Sequence, residues 1–295
     1  MILLTGATGT VGSALLRRLT AAGEPVRCLV RDTRGLGEQR VRVQIALGDL
    51  ANPPSFRNAL RGVDTVVHLA ASIRDQSRAS LEELNAVATL RLVRAAERAG
   101  ARRFVFFSAM GARRHSRTRF FRAKALAQHA VEVSPLETTI FAPSIVYTPG
   151  DPWLTLLERF SYLPVIPVSG SGRALYQPIW AEDVADCVVA ALMGSAPRRR
   201  SFELAGPETL SYDDIVLAAM RSNGRRRPLL HVPLPVVRTS LRMLARLAGQ
   251  RAFATWEEAE LMEEPMTTRR GTADAEALGV RPRPIGSVLG SREAP

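Results

Sequence analysis

The sequence predicts an α/β protein in which a doubly wound parallel sheet carries helices on both faces. Three observations predict this class. Short apolar segments alternate along the chain with segments of helical periodicity. The inner segments are apolar throughout, which is typical of strands that are covered on both faces. A glycine-rich turn joins the first strand to the first helix, as in sheets that bind a nucleotide.

The first turn carries the pattern G-x-x-G-x-x-G from Gly6 to Gly12, between an apolar strand at 2–4 and a helical segment at 13–19. In such a turn one glycine permits the reversal, one lets the backbone approach a pyrophosphate, and one lets the helix pack on the strand. The N–H groups at the start of the helix favour an anion. An ordinary glycine-rich turn is the alternative. The pattern predicts cofactor contacts at Gly6, Thr8, Gly9, Thr10, Val11 and Gly12.

The remaining elements follow in alternation. Further strands are expected at 26–30, 41–47, 64–69, 104–107 and 137–141, and helices at 56–60, 82–99 and 120–131. After about Pro149 the pattern is less regular and richer in proline, and a helix at 181–192 resembles those of the first half. We therefore expect a nucleotide-binding core at 1–150, to which 175–200 return, and a smaller substrate lobe at 151–295.

The chain has a formal net charge of +12, from 39 arginines and a single lysine against 28 acidic residues. The arginines are spread along the chain, and the short runs at 198–200 and 225–227 have no interleaved aromatic residues. A nucleic-acid partner is therefore not expected. Arg238, Arg242 and Arg246 share one helical segment with apolar residues, so peripheral contact with an anionic membrane is an alternative. Such a helix more commonly packs on its own domain, with its arginine stems along apolar surface.

The two cysteines, Cys28 and Cys187, lie in apolar segments and form no metal or disulfide pattern. They indicate buried thiols in a reducing compartment, and we expect a cytoplasmic protein. No apolar run approaches the length of a membrane span, and the first residues lack the basic leader of a signal peptide. No metal site is expected.

Taken in order, these motifs resemble the extended and atypical branch of the short-chain dehydrogenase/reductase superfamily, above all its NmrA-like and complex-I-subunit-like NAD(P)-binding members. The matching segments are 5–12, 48–50, 68–71, 104–108, 143–147, 179–184 and 202–207. The resemblance implies a Rossmann-type fold over nearly the whole chain. It also implies cofactor contacts at Asp49, Leu50, Leu69, Ala70, Ala71, Ser108, Lys124, Pro143 and Ile145.

The superfamily uses a Tyr-x-x-x-Lys pair with a serine upstream. Ser108 and Lys124 match two of these positions, but Phe120 stands where the tyrosine is expected. Three interpretations stay open. The substrate is a conjugated acceptor that takes its proton from water, another group such as Tyr147 or His115 replaces the acid, or the protein binds its cofactor without turnover. The catalytic candidates are therefore Lys124, Ser108 and Tyr147.

The end of the second strand bears on the choice of cofactor. An acidic residue there binds the ribose 2′-hydroxyl of NAD(H). This chain has Arg31 and Arg34, which suit a 2′-phosphate, although Asp32 lies between them. The sequence therefore favours NADP(H) over NAD(H). The predicted function is a reductase for a small, conjugated or aromatic substrate; the alternative is a non-catalytic redox sensor or assembly subunit. The oligomeric state stays open.

Overall fold

The computed structural model of the protein describes residues 1–76, 79–194, 200–222, 224–248 and 254–290. Its strands are β1 (Ile2–Thr5), β2 (Val26–Val30), β3 (Gln44–Leu47), β4 (Thr65–His68), β5 (Arg103–Phe107), β6 (Glu137–Pro143), β7 (Val146–Tyr147), β8 (Ile166–Ser169), β9 (Leu175–Tyr176), β10 (Ile179–Trp180), β11 (Arg200–Leu204), β12 (Leu210–Ser211) and β13 (Leu229–Val232). Its helices are α1 (Thr10–Ala21), α2 (Pro53–Phe56), α3 (Ala88–Arg98), α4 (Arg119–Glu132), α5 (Pro152–Phe160), α6 (Ala181–Met193), α7 (Tyr212–Ser222), α8 (Leu234–Ala248), α9 (Trp256–Leu261), α10 (Ala273–Glu276) and α11 (Ile285–Gly290).

The centre of the fold is a seven-stranded sheet in the order β11-β6-β5-β4-β1-β2-β3. Every neighbouring pair in it is parallel. The chain winds from β1 outwards to β3, then crosses back to β4 and continues to β11, so the strand order reverses between β1 and β4. The predicted doubly wound parallel sheet is confirmed, and all its strands end at one edge.

Alternating side chains of the strands pack on two helical layers. Leu4 of β1 lies in an apolar cluster with residues of α1 and α6. Its neighbour Leu3 lies in a cluster with residues of α3 and α4 on the opposite face. In β5, Val105 belongs to the first cluster and Phe104 to the second. Because both faces are covered, the inner strands are apolar throughout.

Three of the expected elements differ from the structure in local conformation as well as in their ends. The third strand begins at Gln44 rather than at 41, because Arg34–Val41 form 3₁₀ turns at the sheet edge and Val41 is exposed. The helix expected at 56–60 is a short α2 followed by a 3₁₀ turn, Arg57–Leu60. The helix expected at 82–99 opens with a π-helical turn, Glu83–Val87.

The second half of the chain builds a third apolar cluster from α5, α7, α9 and α11. The paired strands β8 and β13, and β9 and β12, lie within it. Residues from this half also join the main sheet and its layers: β11 pairs with β6, and α6 packs against α1. Of the segment expected to return to the core, residues 195–199 lie outside the described residues.

Both cysteine side chains, Cys28 and Cys187, are buried and free. Among the described helices, none is long and apolar enough to cross a membrane.

Candidate functional site

A cleft of about 420 Å³ lies at the edge where the parallel strands end. The segments that follow β1, β2, β3 and β4 form its walls. The predicted cofactor residues that line it are Gly6, Thr8, Gly9, Arg31, Asp49, Leu50, Leu69, Ala70 and Ala71. A site at this edge, beside the reversal of strand order, is where open α/β sheets bind nucleotides.

The three glycines of the first turn have different surroundings. Gly6 has a φ of +74°, and an added Cβ would lie 2.6 Å from the backbone nitrogen of Ala70. A Cβ at Gly12 would lie 2.0 Å from the carbonyl oxygen of Gly6. At Gly9 the same atom would meet only that carbonyl, at 3.4 Å. Gly6 and Gly12 therefore permit close backbone packing, whereas Gly9 keeps open space that faces the cleft.

The start of α1 suits an anion. Gly9 is its N-cap residue, in extended conformation, and no side chain caps the helix. The first turn contains no acidic residue. The N–H groups of Thr10, Val11 and Gly12 belong to the first turn and have no carbonyl partner within the helix. They and the helix dipole favour a pyrophosphate at this point.

A buried chain of hydrogen bonds holds the segments around the cleft. The Ala70 N–H donates to Thr5 Oγ1 over 3.4 Å, and Thr5 Oγ1 lies 2.7 Å from His68 Nδ1. On the other side of the ring, His68 Nε2 lies 2.9 Å from Thr89 Oγ1, which donates to the Asn85 carbonyl over 2.5 Å. A neutral imidazole with its proton on Nε2 satisfies every group in this chain.

Burial, with a smaller contribution from the charge of Lys124, lowers the pKa of His68 to about 3. His68 is therefore neutral at physiological pH and acts as a structural link rather than as an acid or base.

Asn85, on the π-helical turn, fixes the cleft wall further. Its Oδ1 accepts the Ser72 N–H over 3.1 Å, and its Nδ2 donates to the carbonyls of Ser72 and Leu81. Asn85 and Thr89 are not among the residues predicted from the sequence. The signal that marks them is a pair of polar residues, four positions apart, on the buried face of an amphipathic helix.

The end of β2 presents one cation to the cleft. Arg31 donates from Nη1 to Gln76 Oε1 over 2.6 Å, and both residues line the cleft. Arg34, in contrast, is not among the lining residues, and its side chain is 91% exposed. It pairs with Asp32 at 3.2 Å, and its N–H donates to the same carboxylate. The structure thus places Arg31 and Asp32 at the cleft and Arg34 outside it, with the Asp32 carboxylate paired to Arg34.

Ser108 and Lys124 both lie beside the carboxyl end of β5, and neither is among the residues that line the cleft. The Ser108 hydroxyl donates to Gln128 Oε1 over 2.6 Å. Lys124 is 3% exposed, donates from Nζ to the Phe107 carbonyl, and lies 4.5 Å from the centre of the Phe106 ring. Burial lowers the pKa of Lys124 to about 7. A compact ammonium fits this enclosed place, where a planar guanidinium is larger and needs more partners.

Phe120 lies one helical turn before Lys124, near the start of α4. Its ring is half-buried in the third apolar cluster, together with Met110 and Ile145. The Phe121 ring lies beside it, at 5.8 Å between centres. A hydrocarbon ring therefore occupies the position where the resemblance implies a phenol.

The other proposed acids lie in contrasting surroundings. Tyr147 is fully buried, and its hydroxyl has no hydrogen-bond partner among the described residues. Burial and the charges of Asp183 and Glu208 raise the pKa of Tyr147 above its ordinary value. His115 is exposed in the loop before α4. Neither residue lines the cleft.

Two further predicted contacts lie at the ends of the neighbouring strands. Pro143 ends β6, and its carbonyl accepts the Met110 N–H over 2.9 Å. The Ile145 carbonyl accepts the Ile179 N–H over 3.0 Å. Pro143 thus lies beside the segment that follows Ser108, and Ile145 lies beside β10; neither residue lines the cleft.

The depressed pKa of Lys124 predicts a pH dependence of stability. An unfolded chain keeps this amine protonated to about pH 10, whereas the folded protein releases the proton near pH 7. Between these values the unfolded state binds more protons, so the free energy of unfolding rises with pH. From about pH 6 to about pH 8.5 it should rise by about 1–2 kcal/mol more than in Lys124→Met, as measured by urea unfolding. Parallel curves for the two proteins would contradict this assignment.

Comparison with known proteins agrees with this geometry. A family described as NAD(P)H-binding matches residues 6–195. An NAD(P)H azoreductase of Xenophilus azovorans is 30% identical over 228 residues, which are 76% of this chain and 74% of that protein. Sterol demethylase protein B of Methylococcus capsulatus is 37% identical over 171 residues, which are 50% of this chain and 52% of that protein.

Among solved structures, a nucleoside-diphosphate-sugar epimerase of Staphylococcus aureus superposes with a TM-score of 0.76 over 98% of this chain and 99% of that one. Its sequence identity is 20%, so this likeness concerns the fold. The matched family, the azoreductase relative and the ordered motifs agree with one another. The chain belongs to the NAD(P)H-binding family, in the extended, NmrA-like class of short-chain dehydrogenase/reductase proteins.

Proposed function

We propose that the protein is an NADPH-dependent reductase that transfers hydride to a small conjugated or aromatic acceptor without a tyrosine acid. The proposal depends on one combination of features. The glycine turn from Gly6 to Gly12 and the buried Lys124 are present, while the hydrocarbon ring of Phe120 occupies the position where the family has its proton-donating tyrosine. A relative named as a reductase supports the class of reaction.

The residues of the cleft fit a dinucleotide. Space at Gly9 and the uncapped start of α1 suit the pyrophosphate, and Asp49 and Leu50 line the part of the cleft proposed for the adenine. When bound, the cofactor supplies the hydride. In this proposal Lys124 contacts the nicotinamide ribose, with Ser108, Pro143 and Ile145 on the nicotinamide side. The core at 1–150, with 175–200, holds the cofactor, and 151–295 shape the substrate lobe.

The side chains available to donate or remove a proton then determine which hydride acceptors react. A simple alcohol or ketone needs a group that removes or donates a proton at its oxygen. The Phe120 ring does neither, and the Ser108 hydroxyl already donates to Gln128. An enone or a quinone spreads the incoming negative charge over its own conjugated system and takes its proton from water. Such acceptors therefore match the site.

The charges at the end of β2 support NADP(H). Arg31 faces the cleft, where its partner is the neutral amide of Gln76. The Asp32 carboxylate, which also lines the cleft and would repel a 2′-phosphate, is paired with Arg34. The free, buried thiols of Cys28 and Cys187 support a reducing compartment, and we place the protein in the cytoplasm.

A second candidate function is a non-catalytic nucleotide binder, such as a redox sensor or an assembly subunit. The observation that favours it is the same absence of a phenol at position 120. Turnover separates the two candidates: tight NADPH binding with no oxidation by any quinone or enone supports the non-catalytic role.

Gly9→Val should abolish nucleotide binding without unfolding the protein. Gly9 has φ −80° and ψ 174°, which valine adopts readily, and the protein offers its Cβ no contact closer than 3.4 Å. The side chain would instead fill the space of the pyrophosphate. Calorimetric titration with NADPH checks this. The matched control is Gly286→Val, at an exposed glycine with no atom near an added Cβ. Near-normal binding by Gly9→Val would place the nucleotide elsewhere.

Arg31→Ala should weaken NADPH binding more than NADH binding, by about 1–2 kcal/mol for a lost charge-assisted contact. The measurement is the ratio of the two dissociation constants, and Arg98→Ala on the exposed side of α3 serves as the control. Equal affinities of the unmodified protein for NADPH and NADH would refute the proposed preference.

Phe120→Tyr should gain slow reduction of simple carbonyl compounds, because it adds a phenol that donates a proton to the carbonyl oxygen. The phenol would lie one turn from Lys124, which in its protonated form lowers the pKa of that phenol. The unmodified protein should consume NADPH with enones or quinones and not oxidise simple alcohols. Absorbance of NADPH during turnover measures both. Phe121→Tyr, at the adjacent buried ring, is the control. Efficient alcohol oxidation by the unmodified protein would mean that another residue carries the proton.

A further inference from the structure

Positive charge is concentrated in one part of the second half of the chain. Residues 215–256 contain eight arginines and no aspartate or glutamate. This segment of 42 residues therefore carries a net charge of +8. Residues 98–131 also carry nine cations and no aspartate or glutamate. There, however, Lys124 is buried, and Arg102 and Arg119 pair with carboxylates from other segments.

The helix α8 lies within this segment and is poorly covered. None of its described side chains is buried. Leu234, Val237, Leu241 and Leu244 form a half-buried stripe on one face. On another face Val236 is 52% exposed and Met243 is 65% exposed. From the sequence, this helix is expected to pack on its own domain. Its described contacts are mainly with α9. There the Arg238 guanidinium lies 5.3 Å from the centre of the Trp256 ring.

The cations of α8 form a row along its axis. Arg238, Arg242 and Arg246 follow one another at intervals of four residues, which places them on one side of the helix. Arg242 and Arg246 are exposed, and within the described part of the chain neither has a carboxylate partner. Their charges are therefore available to an anionic surface.

A second set of exposed apolar side chains lies on the paired strands β8 and β13 and on the turn before β8. The turn before β8 presents Tyr162 and Leu163, which are 71% and 43% exposed. The Arg225 guanidinium lies 3.7 Å from the Tyr162 ring centre. β13 pairs with β8, carries Leu230 at 52% exposure, and leads directly into α8. Exposed apolar side chains and cations thus lie on three elements that are connected to one another.

The combination of exposed apolar side chains and arginines that have no carboxylate partner among the described residues indicates which kind of partner binds this surface. A second copy of the same surface would bring two sets of unpaired arginines together, which costs free energy. A polyanion such as RNA would use the arginines but would leave Val236, Met243 and Leu163 in water. A bilayer with anionic headgroups satisfies both, because the apolar side chains enter the acyl boundary while the arginines reach the phosphates. We propose that α8, with β13 and the turn at 161–165, docks on an anionic lipid bilayer.

Co-sedimentation of the full chain with lipid vesicles tests this proposal. The protein should bind vesicles of phosphatidylcholine mixed with phosphatidylglycerol, bind pure phosphatidylcholine far more weakly, and dissociate as salt is raised. Arg242→Gln combined with Arg246→Gln should weaken binding by about thirtyfold, since each cation near such a surface contributes about fivefold. The matched control is Arg94→Gln with Arg98→Gln, two exposed arginines at the same spacing on α3, which should leave binding unchanged.

Replacing Val236 and Met243 by serine separates a bilayer from a polyanion. This double variant should lose vesicle binding severalfold and bind a single-stranded RNA homopolymer as the unmodified protein does. All the substituted side chains are exposed, and circular dichroism and NADPH affinity check the fold. The proposal is overturned if anionic vesicles do not bind the protein, if both arginine pairs matter equally, or if RNA binds while vesicles do not. Self-association without lipid that the serine variant abolishes would also overturn it, in favour of a second copy.

Discussion

The close approach of three backbone segments at the carboxyl edge of the sheet underlies the rest of the site. The turn after β1, the segment after β4 and the first turn of α1 pack so tightly that a Cβ at Gly6 or Gly12 would overlap backbone atoms. The hydrogen-bond chain through His68 joins β1 and β4 to the helical segment at 85–89. Because this packing fixes the start of α1, its N–H groups and the space at Gly9 are held in place for the proposed pyrophosphate.

Much of this arrangement is visible in the sequence, because it depends on local patterns. The strand at 26–30 and the helix at 181–193 follow from hydrophobic periodicity, and glycine spacing marks the first turn. Contacts between distant segments are not encoded locally. The Arg31–Gln76 bond, the Asn85 contacts with Ser72, and the pairing of Arg34 with Asp32 depend on how loops meet in three dimensions. The position of the cleft could therefore be predicted from the sequence, whereas the hydrogen bonds and ion pairs between its residues could not.

Lysine and arginine have separate roles in this molecule. The single lysine is buried beside the end of β5, where its Nζ donates to the Phe107 carbonyl and burial lowers its pKa. The space there suits one compact amine. Arg242 and Arg246, which have no carboxylate partner within the described residues, lie on the exposed surface of the second half. In this account the carboxyl edge of the sheet binds the nucleotide, while α8 and its neighbours determine where the protein is held.

A crystal structure of the protein with NADP⁺ tests the central claim most directly. The account predicts the pyrophosphate at the N–H groups of Thr10, Val11 and Gly12, and the 2′-phosphate beside Arg31. It also predicts the nicotinamide ribose within hydrogen-bond distance of Lys124 Nζ, with the Phe120 ring near the nicotinamide. A nucleotide bound away from the start of α1, or one whose 2′-phosphate lies far from Arg31, would contradict the account.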